Sequence, residues 1–256
     1  MHRARCCALC LALLLAFGLS AQAQTPMVIF DYEPESLLML PDGGLVYSAI
    51  TTGATGDRQV TGLIALDEQG FQRWALSLPG GMQGMNNALS LLTDGSLAYL
   101  GNLPFSRHYA LSVATDGAVK GHYALLPEGA IFPTLSGGAV YYSRYDGFGY
   151  PEYKTEGYQG LWRMDLSGKA ERISFAGAPD ARIITRMQQL AGSRYALVTD
   201  ADFKASLLKL DDQDKALWRY DLRWLPAGSE FEAAQGADEG LLFAYVFFSR
   251  RAATCI

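Results

Sequence analysis

An all-β fold of repeated four-stranded units is predicted by two features of this chain: a pair of tight turns that recurs about four times, and short β-forming runs spaced evenly between those turns. The first turn reads Leu40-Pro41-Asp42-Gly43-Gly44-Leu45 and Leu92-Thr93-Asp94-Gly95-Ser96-Leu97. It returns as Leu135-Ser136-Gly137-Gly138-Ala139-Val140 and Leu190-Ala191-Gly192-Ser193. The second turn reads Leu66-Asp67-Glu68-Gln69-Gly70, Val113-Ala114-Thr115-Asp116-Gly117, Met164-Asp165-Leu166-Ser167-Gly168 and Leu210-Asp211-Asp212-Gln213-Asp214.

Each element follows from its residues. Asp-Gly and Gly-Gly centres accept the positive φ of tight hairpins. Between the turns lie Gly44 to Ile50, Gly62 to Leu66, Ser96 to Leu100, Tyr109 to Val113, Ala139 to Ser143, Leu161 to Met164, Arg194 to Val198 and Ala205 to Leu210. These runs are rich in branched and aromatic side chains, which suit a pleated, half-buried surface. After Gln24 no segment holds a helical period over three turns; the nearest, Ala181 to Ala191, reads as loop then strand. Each unit is therefore strand A, first turn, B, a longer loop, C, second turn and D.

The N-terminus has a different pattern. His2, Arg3 and Arg5 precede an apolar run from Cys6 to Leu19, and Ala21-Gln22-Ala23 is a small-x-small cleavage site. This layout predicts a secretory signal peptide over residues 1–23, with residues 24–256 as the mature domain. The run is shorter than the roughly 20 apolar residues of a membrane span, and Cys10 lies inside it rather than at a lipidation position. Cleavage would remove Arg3 and Arg5, leaving 19 Lys and Arg against 26 Asp and Glu, a net charge of −7. That balance argues against a nucleic-acid partner. Cleavage would also leave Cys255 as the single cysteine, so the mature chain forms no intrachain disulfide and depends on its core. The expected location is periplasmic or secreted, with no transmembrane segment after signal removal.

The turn Leu66-Asp67-x-x-Gly70-x-x-x-Trp74 resembles blades of the pyrroloquinoline-quinone-type and WD-like β-propeller superfamily, and the repeat extends the resemblance over nearly all the mature chain. The resemblance implies a β-propeller of four-stranded antiparallel blades, about five in number. The blades run about 35–78, 88–125, 131–175 and 183–222, with a partial fifth at 230–249. Ala65, Asp67, Gly70 and Trp74 match the quinoprotein docking motif, but the usual Thr before Gly is missing and the spacing is one residue short. Quinone binding is not implied, and no cofactor is expected. Asp67 precedes Trp74 by seven residues and Asp211 precedes Trp218 by the same seven, so Asp67, Gly70, Trp74, Asp211 and Trp218 are expected to be structural repeat anchors. The fifth cycle has no room for strands C and D, although Met27 to Tyr32 suits a closing strand. An irregular five-blade ring and a truncated piece of a longer propeller both remain open, and exposed sheet edges weigh toward truncation.

Function is expected on the face that carries the B–C loops and the blade connections. The first blade offers Thr51 to Gln59. The third offers Arg144 to Gln159, with Tyr145, Asp146, Tyr150, Tyr153 and Tyr158, a mix of contact area and polar tips that suits binding. Gly80 to Asn87 joins the first two blades there, and Asn86 and Asn87 are expected to line a central opening. No catalytic residues and no metal site are read from the sequence. Only His108 and His122 survive maturation, placed at a loop or strand start and in strand D, and no zinc spacing, nucleophile elbow or phosphate loop is present. Asp200-Ala201-Asp202 and Asp211-Asp212-x-Asp214 read as solvated turn aspartates. The expected role is a non-catalytic binding or assembly scaffold in the bacterial envelope, holding an unknown protein or small ligand on its loop face. Two alternatives stand beside it: a lactonase-like or quinoprotein-like propeller enzyme with a metal or cofactor near the axis, and a truncated fragment without independent function.

Overall fold

The computed structural model describes residues 33–52, 58–82, 88–103, 107–146, 157–190, 193–224, 230–235 and 241–246. The first blade contains β1 (Glu33–Met39), β2 (Leu45–Thr52), β3 (Arg58–Leu66) and β4 (Gln72–Met82). The second contains β5 (Ala88–Leu91), β6 (Leu97–Leu103), β7 (Arg107–Val113) and β8 (Val119–Leu125). The third contains β9 (Ala130–Ser136), β10 (Ala139–Tyr145), β11 (Tyr158–Asp165) and β12 (Ala170–Ile173). The fourth contains β13 (Ile183–Leu190), β14 (Ser193–Thr199), β15 (Lys204–Leu210) and β16 (Ala216–Trp224), and β17 (Glu230–Gln235) and β18 (Leu241–Val246) follow. Each set of four pairs in sequence order as one antiparallel sheet, and β17 pairs with β18. The first strands of successive sheets, β1, β5, β9, β13 and β17, are spatial neighbours in that order. The fold is a β-propeller with four complete four-stranded blades and a two-stranded fifth sheet among the described residues. His108 is the second residue of β7, at the strand start.

The turns explain why aspartate recurs. In the first blade Asp67 N–H donates to the Phe71 carbonyl (2.8 Å), while Asp67 Oδ1 accepts from the N–H of Gln69 (3.0 Å) and Phe71 (2.8 Å). Asp165 and Asp211 repeat this, accepting from Ser167 and Lys169, and from Gln213 and Lys215. A short carboxylate thus satisfies amides that the reversing chain leaves without a strand partner. The residue three positions later takes positive φ: Gly70, Gly117 and Gly168 in the first three blades, and Asp214 (φ 61°) in the fourth. Asp200 builds the same turn between β14 and β15, accepting from Asp202 and Lys204.

Strand alternation sends one face of each sheet to each neighbouring blade, so the core lies between blades. Val46, Leu63 and Ala65 meet Tyr99, Tyr109 and Leu111 between blades one and two. Ala98, Leu100 and Ala110 meet Val140, Tyr142 and Met164 between two and three. Tyr141, Leu161 and Phe175 meet Ile184, Ala196 and Leu208 between three and four. Each fully buried large apolar side chain contributes roughly 1.5–3 kcal/mol. No helix among the described residues is long and apolar enough to cross a membrane. The signal segment 1–23, Met27 to Tyr32 and the tail from Phe247, with Cys255, lie outside the described residues.

Candidate functional site

The inner strands enclose a cavity of about 470 Å³, walled by Leu38 of β1, Ala88 to Leu91 of β5, Phe132 to Leu135 of β9 and Thr185 to Gln189 of β13. Three of these strands break register against their own sheet: β1 between Pro34 and Leu37, β9 opposite Tyr141 to Ser143, and β13 between Ile184 and Arg186. Such bulges bend a strand and re-aim its side chains, here toward the axis. Phe132 sits in the β9 irregularity at φ 51°, a conformation that costs a non-glycine residue roughly 1–2 kcal/mol.

Hydroxyl groups supply hydrogen bonds along the irregular stretches of the inner strands. Thr134 Oγ1 donates to the Met187 carbonyl (3.1 Å) and accepts from Met187 N–H (3.0 Å), joining β9 to β13. Ser143 Oγ accepts from Ile184 N–H (2.8 Å), and Ser48 Oγ from Ser36 N–H (2.9 Å). Thr185 Oγ1 on the wall is buried without a hydrogen-bond partner. The described lining offers hydroxyls, the amides of Gln188 and Gln189, apolar surface and the Arg186 guanidinium, with no carboxylate, imidazole or thiol. Among the described residues no group of three or more His, Cys, Asp or Glu is placed to hold a metal ion. This wall can bind; it lacks a nucleophile beside a base.

The sequence-predicted loop residues separate. Tyr145 is the last residue of β10 and Tyr158 the first of β11, so both belong to strands. Tyr145 is buried, its ring 5.1 Å from that of Tyr158, and its hydroxyl finds no partner. Asp146 is exposed; its N–H donates to the Gly157 carbonyl (3.0 Å) and its Oδ2 accepts from Gln159 Nε2 (2.9 Å), closing the base of the loop. Tyr150 and Tyr153 lie outside the described residues, as do Asn86 and Asn87, which immediately precede the cavity residue Ala88.

The repeat anchors occupy unlike surroundings. Trp74 on β4 reaches the second blade: its Nε1–H donates to the Thr115 carbonyl (2.9 Å), and a Cβ at Gly117 would lie 2.8 Å from its ring. Gly117 is therefore required twice, by its φ of +88° and by the indole against it. Trp218 on β16 lies tilted against Tyr195 of its own blade (6.0 Å between ring centroids, 54° between planes) and remains 38% exposed. Asp67, Gly70 and Asp211 are turn residues of the kind described above.

Two buried groups escape sequence reasoning. Asp214 is a correction: it is buried, not solvated. Its Oδ1 accepts from Arg194 Nη1 (2.9 Å) and from the Tyr141 hydroxyl (3.0 Å), which bridges to the third blade. Arg194 Nη1 also donates to the Tyr141 hydroxyl (2.7 Å), and its Nη2 donates to the Asp211 carbonyl. Burial, followed by the Asp214 charge, pushes the Tyr141 phenol up to about 12. An aspartate where the other blades carry glycine is the one local signal of this cluster. The second group is His108, buried with Nδ1 unpaired and held at a pKa of about 4 by desolvation. Its cross-strand partner is Asn102, on the face of blade two that meets blade three.

No family model matches the sequence, and no curated protein matches it. Solved structures do. A crystal structure of a puromycin hydrolase mutant complexed with PGG aligns with TM-score 0.51 and 14% identity over 88% of this chain. The Dos1 propeller aligns with TM-score 0.43 and 12% identity over 75%, and BBS1N, crystallised in complex with ARL6DN, with 0.44 and 8% over 92%. The chain spans 38%, 61% and 68% of those three chains respectively. At these identities the likeness concerns the fold alone.

Proposed function

We propose that this chain is an exported propeller that works as a non-catalytic binding or assembly scaffold in the bacterial envelope. The observation that carries the reading is the axial cavity. Four blades build its wall, bulged strands turn side chains toward it, and the described lining offers apolar surface and hydrogen-bonding groups without a nucleophile–base pair. The blades resemble the pyrroloquinoline-quinone type, a reading supported by the seating of Trp74 on Gly117. The ligand enters from the face of the B–C loops, and the residues expected to meet it include Asn86, Asn87, Tyr150 and Tyr153, which lie outside the described residues.

The test is capture of an identified envelope component by the full chain and by a variant lacking Asp146 to Glu156. Capture should be lost in the variant while its unfolding midpoint stays within experimental error. Unchanged capture removes the loop from the site, and an equimolar metal ion or chromophore in the purified protein overturns the non-catalytic reading. Fractionation that leaves the chain in the cytoplasm overturns export.

A further inference from the structure

The described wall of the axial cavity carries one ionisable side chain, that of Arg186. The surface around it is apolar, as at Leu38, Leu89, Phe132 and Pro133, or neutral and polar, as at Gln188 and Gln189. The place of Arg186 follows from the irregularity of β13. Ile184 and Met187, three residues apart, both pack against blade three, whereas a regular strand would turn residues 184 and 186 to that side. The register shift between Ile184 and Arg186 inserts Thr185 as an extra residue, so Arg186 leaves the interface and lines the cavity.

The strand is held in that position. The next residue, Met187, is bonded at both its N–H and its carbonyl by Thr134 Oγ1 of β9. Two residues before Thr134 stands Phe132, a bulky side chain kept at φ 51°. Arg186 and Phe132 therefore flank one fixed crossing between blades three and four. Backbone strain of this kind gathers at ligand-binding sites, where the surrounding structure maintains it.

We infer that the axial cavity takes a small organic carboxylate with an aromatic body, and that Arg186 is its anion-binding residue. The inference rests on the cavity reading above and narrows it to a ligand class. A guanidinium's planar fork matches the two oxygens of a carboxylate, and its five N–H donors serve a ligand and a protein partner together. Phosphate, with its larger charge, suits this wall less. The described lining has no lysine and no second arginine, and a formal net charge of −5 on the chain repels anions rather than gathering them. The cavity of about 470 Å³ falls within the roughly 300–1,000 Å³ of small-molecule sites, and its apolar walls suit a ring rather than a bare ion.

The probes are 1-naphthaleneacetate, its neutral amide and inorganic phosphate, titrated calorimetrically into the full chain. The acid should bind at one site, at least about tenfold more tightly than the amide or phosphate. Arg186→Gln should weaken the acid by at least about tenfold and leave the amide unchanged, which a collapsed cavity would not do. Arg186→Lys keeps the charge without the fork and should fall between, and both variants should keep the parent's melting midpoint. Equal binding of acid and amide, or acid binding indifferent to R186Q, overturns the carboxylate assignment and leaves the cavity as a site. Phosphate binding as tight as the acid overturns it in favour of an inorganic anion. A lowered midpoint with loss of both acid and amide assigns Arg186 to bracing the wall and overturns it too. So does the absence of binding by every probe, and the loop deletion then decides the scaffold reading separately.

Discussion

The junction between blades one and two and the junction between blades three and four hold equivalent sheets together by opposite chemistry. The first is aromatic: the Trp74 indole lies on a glycine turn, with one hydrogen bond to the Thr115 carbonyl and apolar side chains behind it. The second adds a buried ion pair, Arg194 with Asp214, to an apolar interface and recruits the Tyr141 hydroxyl from the neighbouring blade. The exchange occurs at one position, where glycine in three blades becomes Asp214 in the fourth. A side chain at that φ costs roughly 1–2 kcal/mol, and the carboxylate it introduces neutralises an arginine that would otherwise be buried alone. The lesson concerns specificity. An indole on a glycine tolerates small shifts, whereas a guanidinium shared by a phenol, a carboxylate and a carbonyl admits one arrangement of the two blades.

The comparison can be broken most sharply at Arg194. Arg194→Ala leaves Asp214 buried without its cation and should cost about 3–5 kcal/mol in urea unfolding. A loss near zero would mean that water or another cation reaches Asp214. Replacing both members, Arg194→Met with Asp214→Gly, should recover most of the loss, because glycine also relieves the backbone.

The junction between blades two and three supplies the next test, through His108. Burial lowers its folded pKa to about 4 from the ordinary 6.5, so between those values the unfolded chain binds a proton that the folded chain does not. Stability is therefore full above about pH 6.5 and falls as the pH drops toward 4. The loss approaches about 3 kcal/mol, because each tenfold difference in proton affinity between the two states is worth about 1.4 kcal/mol. His108→Gln should flatten that slope, and hydrogen exchange in β6 and β7 should rise first in acid. An unchanged pH profile in the variant would assign the acid sensitivity elsewhere.

The smallest effects distinguish the two tryptophans. Trp74→Phe removes a hydrogen bond and part of a packed ring, and should cost about 1–2 kcal/mol. Trp218→Phe keeps an aromatic ring against Tyr195 at a partly exposed position and should stay within about 0.5 kcal/mol. Equal losses at both sites would mean that Trp218 is covered in solution.

Legibility in the sequence differs from residue to residue. Asp67 and Gly70 are visible there because their task is local: a carboxylate caps nearby amides and a glycine takes positive φ, within five residues. The strand runs are visible because alternation and β-branching are also local. Asp214 reads as solvated because its neighbours along the chain are those of an exposed turn, while its partners lie 20 and 73 residues away. Tyr145 reads as a loop aromatic and is buried at a strand end. The cavity wall is not legible either. Phe132, Thr185 and Arg186 reach it through register shifts in β9 and β13, and a shift of one residue reverses which side chains face the axis.

By itself the sequence determined the unit: four short strands, two tight turns and the order in which they repeat. Those features depend on backbone sterics and on a two-residue period, both of which act over a few residues. The tertiary structure decided which face of each unit is buried, how neighbouring blades are joined and what lines the axis. Those outcomes depend on side chains brought together from distant blades. An aspartate in a turn is written identically in the sequence whether water or an arginine from another strand stands opposite it.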